Sequence, residues 1–173
     1  MKAAVIKEAL LENPHTRMWM RGELEMLYDL AAESIGAIAN LGCARGISAG
    51  VMAHASSHPV YSVDLYEGSH GSNAEKAREL WSRLKVTVQQ CIGSTDEWAE
   101  ILTDVRFGLV FIDADHSYEA CKADYENWGR LVMPGGRIAF HDNHMRAVRR
   151  VLKEVTLEKV ATMERITVYE VAK

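Results

Sequence analysis

Two apolar runs, Phe107 to Ile112 and Arg137 to Phe140, are separated by a helix-patterned stretch from Ser117 to Val132 and the turn Met133-Pro134-Gly135-Gly136. That order is a strand, a crossover helix and a second strand, and a crossover of this kind makes the two strands parallel. Parallel strands end on the same edge of their sheet, where open α/β folds bind ligands. Each run stops at an acidic, histidine-bearing cluster: Asp113-Ala114-Asp115-His116 after the first, His141-Asp142-Asn143-His144 after the second. The unit therefore brings the two clusters side by side.

The rest of the chain repeats this alternation. Met20, Leu24, Leu27 and Ala31 recur at spacings of 4, 3 and 4, the mark of an amphipathic helix after a helical start broken at Asn13-Pro14. A first strand follows at Ala37 to Leu41, then a loop from Gly42 to Gly46 and a helix with Ile47, Val51, Met52 and Ala55 on its inner face. Pro59 to Val63 forms a second strand ending at Asp64. After the polar loop Tyr66 to Asn73 come a helix marked by Ala77, Leu80, Trp81 and Leu84, a third strand at Val86 to Ile92, and a short helix at Asp96 to Leu102. Beyond the strand that ends at Phe140, a helix is expected at Asn143 to Val155, then a hairpin of Leu157 to Thr162 and Ile166 to Val171 around Met163-Glu164-Arg165. Such an order predicts a doubly wound α/β sheet, mostly parallel, with a C-terminal antiparallel hairpin. No repeat, linker or low-complexity tract interrupts it, so 1–173 reads as one domain whose first 34 residues are a helical segment packed on the sheet.

Composition narrows the classes. In 173 residues, 48% hydrophobic and 25% charged content is that of a globular chain with a real core. A net charge of -4 and a pI near 6.0 speak against bulk nucleic-acid binding. Arg146, Arg149, Arg150 and Lys153 form the one basic group, at the spacing of a solvated helix face. Cys43, Cys91 and Cys121 are odd in number, scattered and set in apolar surroundings, as reduced buried thiols are. No apolar run is long enough to span a membrane, and Met1 to Glu8 lacks the apolar core of a signal peptide. A cytoplasmic protein that binds neither nucleic acid nor membrane is the expectation.

The first strand-to-helix turn, Asn40-Leu41-Gly42-Cys43-Ala44-Arg45-Gly46, sets two glycines four apart, so that the backbone turns tightly and a ligand approaches the helix N-terminus. Asp64 closes the next strand twenty-two residues after Gly42. A carboxylate there is placed to accept hydrogen bonds from the hydroxyls of a ribose. A dinucleotide fold prefers Gly-x-Gly-x-x-Gly, which this loop is not, so a nicotinamide cofactor fits poorly. The plainer alternative gives the glycines a packing role and Asp64 a turn-capping one.

The loop resembles motif I of class I S-adenosylmethionine-dependent methyltransferases. The resemblance runs from about Leu24 to the C-terminus. Its most specific part is Phe111-Ile112-Asp113-Ala114-Asp115-His116-Ser117-Tyr118-Glu119, followed by Asp124, Trp128, Pro134-Gly135-Gly136 and His141-Asp142. This looks like a small group carrying "FIDGDHSYE... PGG... HD", similar to sugar and antibiotic O-methyltransferases and, more distantly, to catechol-type enzymes. The resemblance implies a seven-stranded Rossmann-like fold with S-adenosylmethionine as cofactor. Gly42 to Gly46 would face its methionine part, Asp64 its ribose, and the end of strand three at Gly93-Ser94 its adenine. Two positions depart from the family. Asn40 stands where an acidic residue is usual, and Ser94 where many relatives have Asp, with Asp96 a nearby substitute.

Methyl transfer to a hydroxyl needs a base or a metal to weaken its proton. Asp113, Asp142 and Asn143 match the positions that bind magnesium in the catechol-type enzymes, and oxygen ligands suit a hard cation. Asp113 is also claimed by the cofactor's amine, and Asp142 by a capping role on the following helix. His116 stands where the metal-dependent relatives carry a lysine base. With an ordinary pKa of about 6.5 it is the candidate base, oriented by Asp115, unless it only bonds the turn before the helix at Ser117. His141 and His144 are weaker candidates, and a zinc or iron site from His116, His141 and His144 lacks a recognised spacing.

The expected activity is transfer of a methyl group to a small molecule, at a hydroxyl oxygen, with Mg2+ or another divalent cation assisting. The acceptor wall would come from Pro14 to Arg21, with Met18, Trp19 and Met20, from the loop Tyr66 to Asn73, where Tyr66 could close over a ligand, or from a second copy in a homo-oligomer. The alternative is a non-catalytic cofactor-binding or interaction module, to which Asn40 and Ser94 point.

Overall fold

Phe107–Ile112 contains no polar side chain and is buried at every residue, and such a strand belongs at the centre of a sheet with both faces covered. The computed structural model describes residues 1–11, 22–67 and 73–173. Its elements in order are α1 (Lys2–Leu10), α2 (Glu23–Ala32), β1 (Ala37–Leu41), α3 (Ile47–Ala55), β2 (Val60–Asp64), α4 (Asn73–Leu84), β3 (Gln89–Ile92), α5 (Thr95–Ile101), β4 (Phe107–Ile112), α6 (Tyr118–Gly129), β5 (Val132–Phe140), α7 (Arg146–Leu152), β6 (Glu158–Met163) and β7 (Ile166–Glu170). The seven strands lie in the order β3-β2-β1-β4-β5-β7-β6. The first five are parallel; β7 runs antiparallel to β5 and to β6. The doubly wound sheet with its C-terminal hairpin stands as the sequence predicts.

Alternation along the central strands divides the core in two. Ile38, Leu109, Phe111, Ala139 and Val168 face one layer, where α1 to α4 bury Val5, Leu24, Leu27, Val51, Met52, Leu80 and Trp81. Leu41, Val110, Ile112, Ile138 and Phe140 face the other, against Ala99, Cys121, Trp128, Val148 and Val151 of α5 to α7. The three thiols are free and buried. Burial pushes Cys43 and Cys91 up to about 11 and Cys121 up to about 12, which leaves them unreactive packing groups. Among the described residues no helix is long and apolar enough to cross a membrane.

Three local expectations are corrected. The segment Met133-Pro134-Gly135-Gly136 lies inside β5: the register jumps from Phe107↔Val132 to Leu109↔Arg137, and Gly135 takes φ 78, so the turn is a bulge in a longer strand. Second, β3 starts at Gln89, not Val86. Third, α7 begins at Arg146 after Met145, with no side-chain cap, so Asp142 does not cap it. Asp142 instead adopts φ 50 and closes a turn in which its carbonyl accepts from Met145 N at 2.8 Å.

Because β1 lies beside β4 while the chain moves outward from each, the strand order reverses between them. Crevices at such switch points hold the ligands of open α/β sheets. The C-terminal ends of β1 and β4 carry Gly42 and Asp113.

Candidate functional site

The glycine loop is packed onto the end of β4. Gly42 has φ 84, and a Cβ placed there would lie 2.0 Å from the Asp113 carbonyl oxygen, so no other residue fits. Gly46, with φ 81, accepts a hydrogen bond from Trp81 Nε1 at 2.9 Å, and its own Cβ would meet that ring nitrogen. Asn40 is buried beneath the loop. Its Nδ2 donates to Gly42 O at 3.1 Å and to Ser62 Oγ at 2.9 Å, while its Oδ1 is buried with no protein partner among the described residues.

Asp64 holds the loop from the side. Its Oδ2 accepts from Cys43 N and Ala44 N at 2.8 and 2.9 Å, and its Oδ1 from Tyr66 N at 2.8 Å. With two donors on Oδ2 and one on Oδ1, it is Oδ1 that keeps lone-pair capacity for a further donor. One strand over, Gly93 N donates to Asp64 O, so Ser94 follows immediately beside the end of β2. Ser94 is engaged in a capping box: its Oγ accepts from Glu97 N, and Glu97 Oε2 accepts from Ser94 N. Asp96, the nearby substitute, accepts from Asn127 Nδ2 at 2.8 Å, facing α6. Leu65, which follows Asp64, and Ile92, which pairs with it in register, expose apolar side chains on this edge that suit the face of a flat ring. Tyr66 is buried, with its hydroxyl accepting from Gln90 Nε2 at 3.2 Å, so it packs and does not cover the edge. Pro14 to Arg21 and Gly68 to Ser72, the segments expected to form the acceptor wall, lie outside the described residues.

The two acidic clusters meet. Pairing of Ile112 with Phe140 sets Asp113 beside His141. His141 Nδ1 stands 3.0 Å from Asp113 Oδ1 and 3.3 Å from Asp142 Oδ2. His116 Nε2 lies 2.9 Å from Asp142 Oδ2 and 3.5 Å from Asp113 Oδ1, close contacts between charges that are not aligned as hydrogen bonds. Asp113, His141 and Asp142 offer ligand atoms all within 4.8 Å of one another. Two carboxylates and an imidazole at that separation fit a divalent cation. His144 is exposed, with Nδ1 3.5 Å from Asp142 Oδ1. Asn143, expected as an oxygen ligand, donates through its amide nitrogen Nδ2 to Glu164 O and Thr167 Oγ1 at 3.1 Å each, bonds that do not use its Oδ1.

The electrostatics follow from this crowding. Asp113 and Asp142 push His116 up to about 9, so at neutral pH it carries a proton instead of standing ready to take one. Burial works against a charge on His141, but hydrogen bonds to Asp113, Asp142 and Glu23 outweigh it and push the ring up to about 11. The same histidines hold Asp142 well below the usual carboxylate range. Asp115, expected to orient His116, instead accepts from Ser117 N at 2.6 Å and builds the turn into α6.

Two participants were not anticipated. Glu23 at the start of α2 is fully buried, with Oε2 3.4 Å from His141 Nε2. Arg165 at the hairpin tip forks onto Glu23 and reaches Asp142 Oδ1 at 3.5 Å. A signal existed for Glu23, a carboxylate on the same helical face as Leu27 and Leu30. None existed for Arg165, whose role depends on where the hairpin docks.

Known proteins agree with this architecture. The structure of an O-methyltransferase from Bacillus cereus in complex with SAH superposes with a TM-score of 0.73 at 17% identity, over 96% of this chain and 90% of that one. The O-methyltransferase TomG from Streptomyces achromogenes, involved in tomaymycin synthesis and solved with SAM, gives 0.75 at 16%, over 99% and 89%. An rRNA methylase from Streptococcus thermophilus gives 0.69 at 14%, over 90% and 99%, so the shared fold serves acceptors of different kinds. No curated protein matches the chain. A family model described as a methyltransferase domain matches residues 39–143, from the first strand to Asn143 in the second cluster, and the chain belongs to that methyltransferase family.

Proposed function

We propose that the protein is an S-adenosylmethionine-dependent methyltransferase that methylates a small molecule at a hydroxyl oxygen, assisted by a divalent cation. The reading takes 1–173 as one such domain. One observation carries it: the glycine loop and the acidic clusters meet at the switch point, where Gly42 packs directly on Asp113. A methyl donor bound along the loop then lies beside the group of residues able to act on an acceptor. Family membership and a fold shared with proteins solved with SAH or SAM support the cofactor.

When bound, the cofactor supplies an electrophilic methyl on a sulfonium, and a divalent cation lowers the pKa of a hydroxyl that it binds. This chain's residues do the rest. Asn40 Oδ1, buried and without a partner among the described residues, is placed to accept from the cofactor's ammonium. Asp64 accepts from a ribose hydroxyl through Oδ1 while Oδ2 keeps its hold on Cys43 and Ala44, and Ser94 stands at the adenine end. Asp113, His141 and Asp142 hold the cation, with Asn143 fixing the turn behind them. His116 faces the same two carboxylates; once their charge is engaged by a cation, the imidazolium releases its own proton to solvent, and its neutral Nε2 then takes the acceptor's proton.

The test is transfer of an isotopically labelled methyl group from S-adenosylmethionine to a panel of phenols, catechols and sugars, before and after chelation. The account expects labelled ether products, loss of turnover on chelation, and a fall of about 100-fold or more in kcat for His116→Ala. Turnover indifferent to both changes would remove the cation and the base. Cofactor binding without transfer over the whole panel would favour a non-catalytic module, the reading that the neutral Asn40 and the capped Ser94 support.

A further inference from the structure

His141 is held from both sides. Its side chain is only 4% exposed, its ring stands edge-on to Phe111 at 6.0 Å, Nδ1 faces Asp113 and Asp142, and Nε2 faces Glu23. Glu23 in turn is bound three times by Arg165. Its Oε1 accepts from the backbone N at 3.1 Å and from Nε at 3.0 Å, and its Oε2 accepts from Nη2 at 3.0 Å. The remaining guanidinium nitrogen, Nη1, approaches Asp142. One buried carboxylate thus ties the start of α2 and the tip of the β6–β7 hairpin to two of the three residues proposed to hold the cation.

A buried ion pair is weak as a source of stability, because desolvation offsets most of the attraction and apolar packing would serve as well. Its geometry here has another use. A histidine that gives one ring nitrogen to a metal is oriented by what accepts the proton on the other, and that outer partner fixes both tautomer and ring angle. Glu23 is the acceptor at Nε2, which leaves Nδ1 as the nitrogen presented between Asp113 and Asp142.

We propose that Glu23 is a positioning residue of the site, fixing His141 through Nε2 and, through the Arg165 fork, fixing Asp142. The proposal rests on the cation reading above. Glu23 touches neither substrate nor cofactor; it sets where two ligand atoms stand.

The test uses the full chain with 15N-labelled imidazoles, as wild type, Glu23→Gln, Glu23→Asp and Arg165→Lys. Two quantities are read: the exchange rate of the His141 Nε2 proton by NMR without added cation, and Mn2+ affinity by calorimetry. Far-UV circular dichroism and the denaturation midpoint report that each variant is folded. Wild type should show a slowly exchanging Nε2 proton. Glu23→Gln should lose that protection and bind Mn2+ about 10- to 100-fold more weakly, and Glu23→Asp should recover part of both. Arg165→Lys should weaken Mn2+ severalfold while the Nε2 proton stays protected, and it carries the test if Glu23→Gln fails to fold. An unprotected Nε2 proton in wild type, or Mn2+ affinity within twofold across folded variants, overturns the proposal. If wild type binds no Mn2+ while the protection at Nε2 depends on Glu23, the cation reading falls and the positioning of His141 stands.

Discussion

Asn40 occupies a position where the resemblance leads one to expect a carboxylate, and its contacts show what the amide does there. Its nitrogen donates to the Gly42 carbonyl, a bond that a carboxylate could not make, and to Ser62, whose hydroxyl would have to reverse and donate to a carboxylate. Asn40→Asp should therefore destabilise the fold by about 1–3 kcal/mol in urea denaturation, even if it improves attraction for a cationic ligand. Gly42→Ala should be more damaging. It sets a side chain against the Asp113 carbonyl at a backbone angle that alanine rarely adopts, and a stability loss of at least about 2 kcal/mol is expected, with weakened S-adenosylhomocysteine binding. A Gly42→Ala protein with unchanged denaturation midpoint and affinity would contradict the packing described. At this scale the glycines, Asp64 and the two clusters were legible because their meaning depends on position along the chain. The partners of His116 and His141 were not. A histidine's pKa and role follow from which carboxylates surround it in space, and Asp142 and Glu23 are distant from His116 and His141 respectively in ways that spacing does not encode.

Helix α6 shows how an element carries a local signal and a hidden charge together. Cys121, Asp124 and Trp128 lie on its buried face, and Ser117 caps its start. Asp124 is nearly inaccessible. Burial pushes its carboxyl up to about 6 from an ordinary 3.8, against a hydrogen bond with Thr95 that favours the charge and helped by Asp96 and Asp115 nearby. A carboxyl whose pKa is raised by folding stabilises the native state when protonated. Its contribution is complete below 3.8 and is lost as pH rises through about 6. Relative to Asp124→Asn, the wild type should thus lose on the order of 1–3 kcal/mol between about pH 4 and pH 7, read from denaturation curves of the two proteins at matched pH. A constant difference across that range would show that Asp124 stays ionised in the fold. The strands were legible from their apolar runs, whereas the ends of α7 and the bulge in β5 were not. Pro134 and the glycines signal a break in either case, and only pairing with β4 decides between a turn and a bulge.

The whole molecule is a sheet with its switch point between β1 and β4, and everything assigned to the site gathers on that edge. The parallel half of the sheet follows from right-handed crossovers, which is why a strand-and-helix reading reaches it. The hairpin was visible, but not that β7, the later strand, would insert beside β5 and leave β6 at the edge. That long-range choice brings Arg165 to Glu23, so the part of the site least visible in the sequence is the part made by docking. What this edge does is decided by the occupant of the crevice beside Gly42 and Asp64. Calorimetric titration of the full chain with S-adenosylhomocysteine, with NAD as the comparison ligand, tests it most directly. Saturable one-to-one binding of S-adenosylhomocysteine, abolished or strongly weakened by Asp64→Ala, is expected, with none of NAD; a chain that fails to bind S-adenosylhomocysteine, or prefers NAD, is not built around this cofactor.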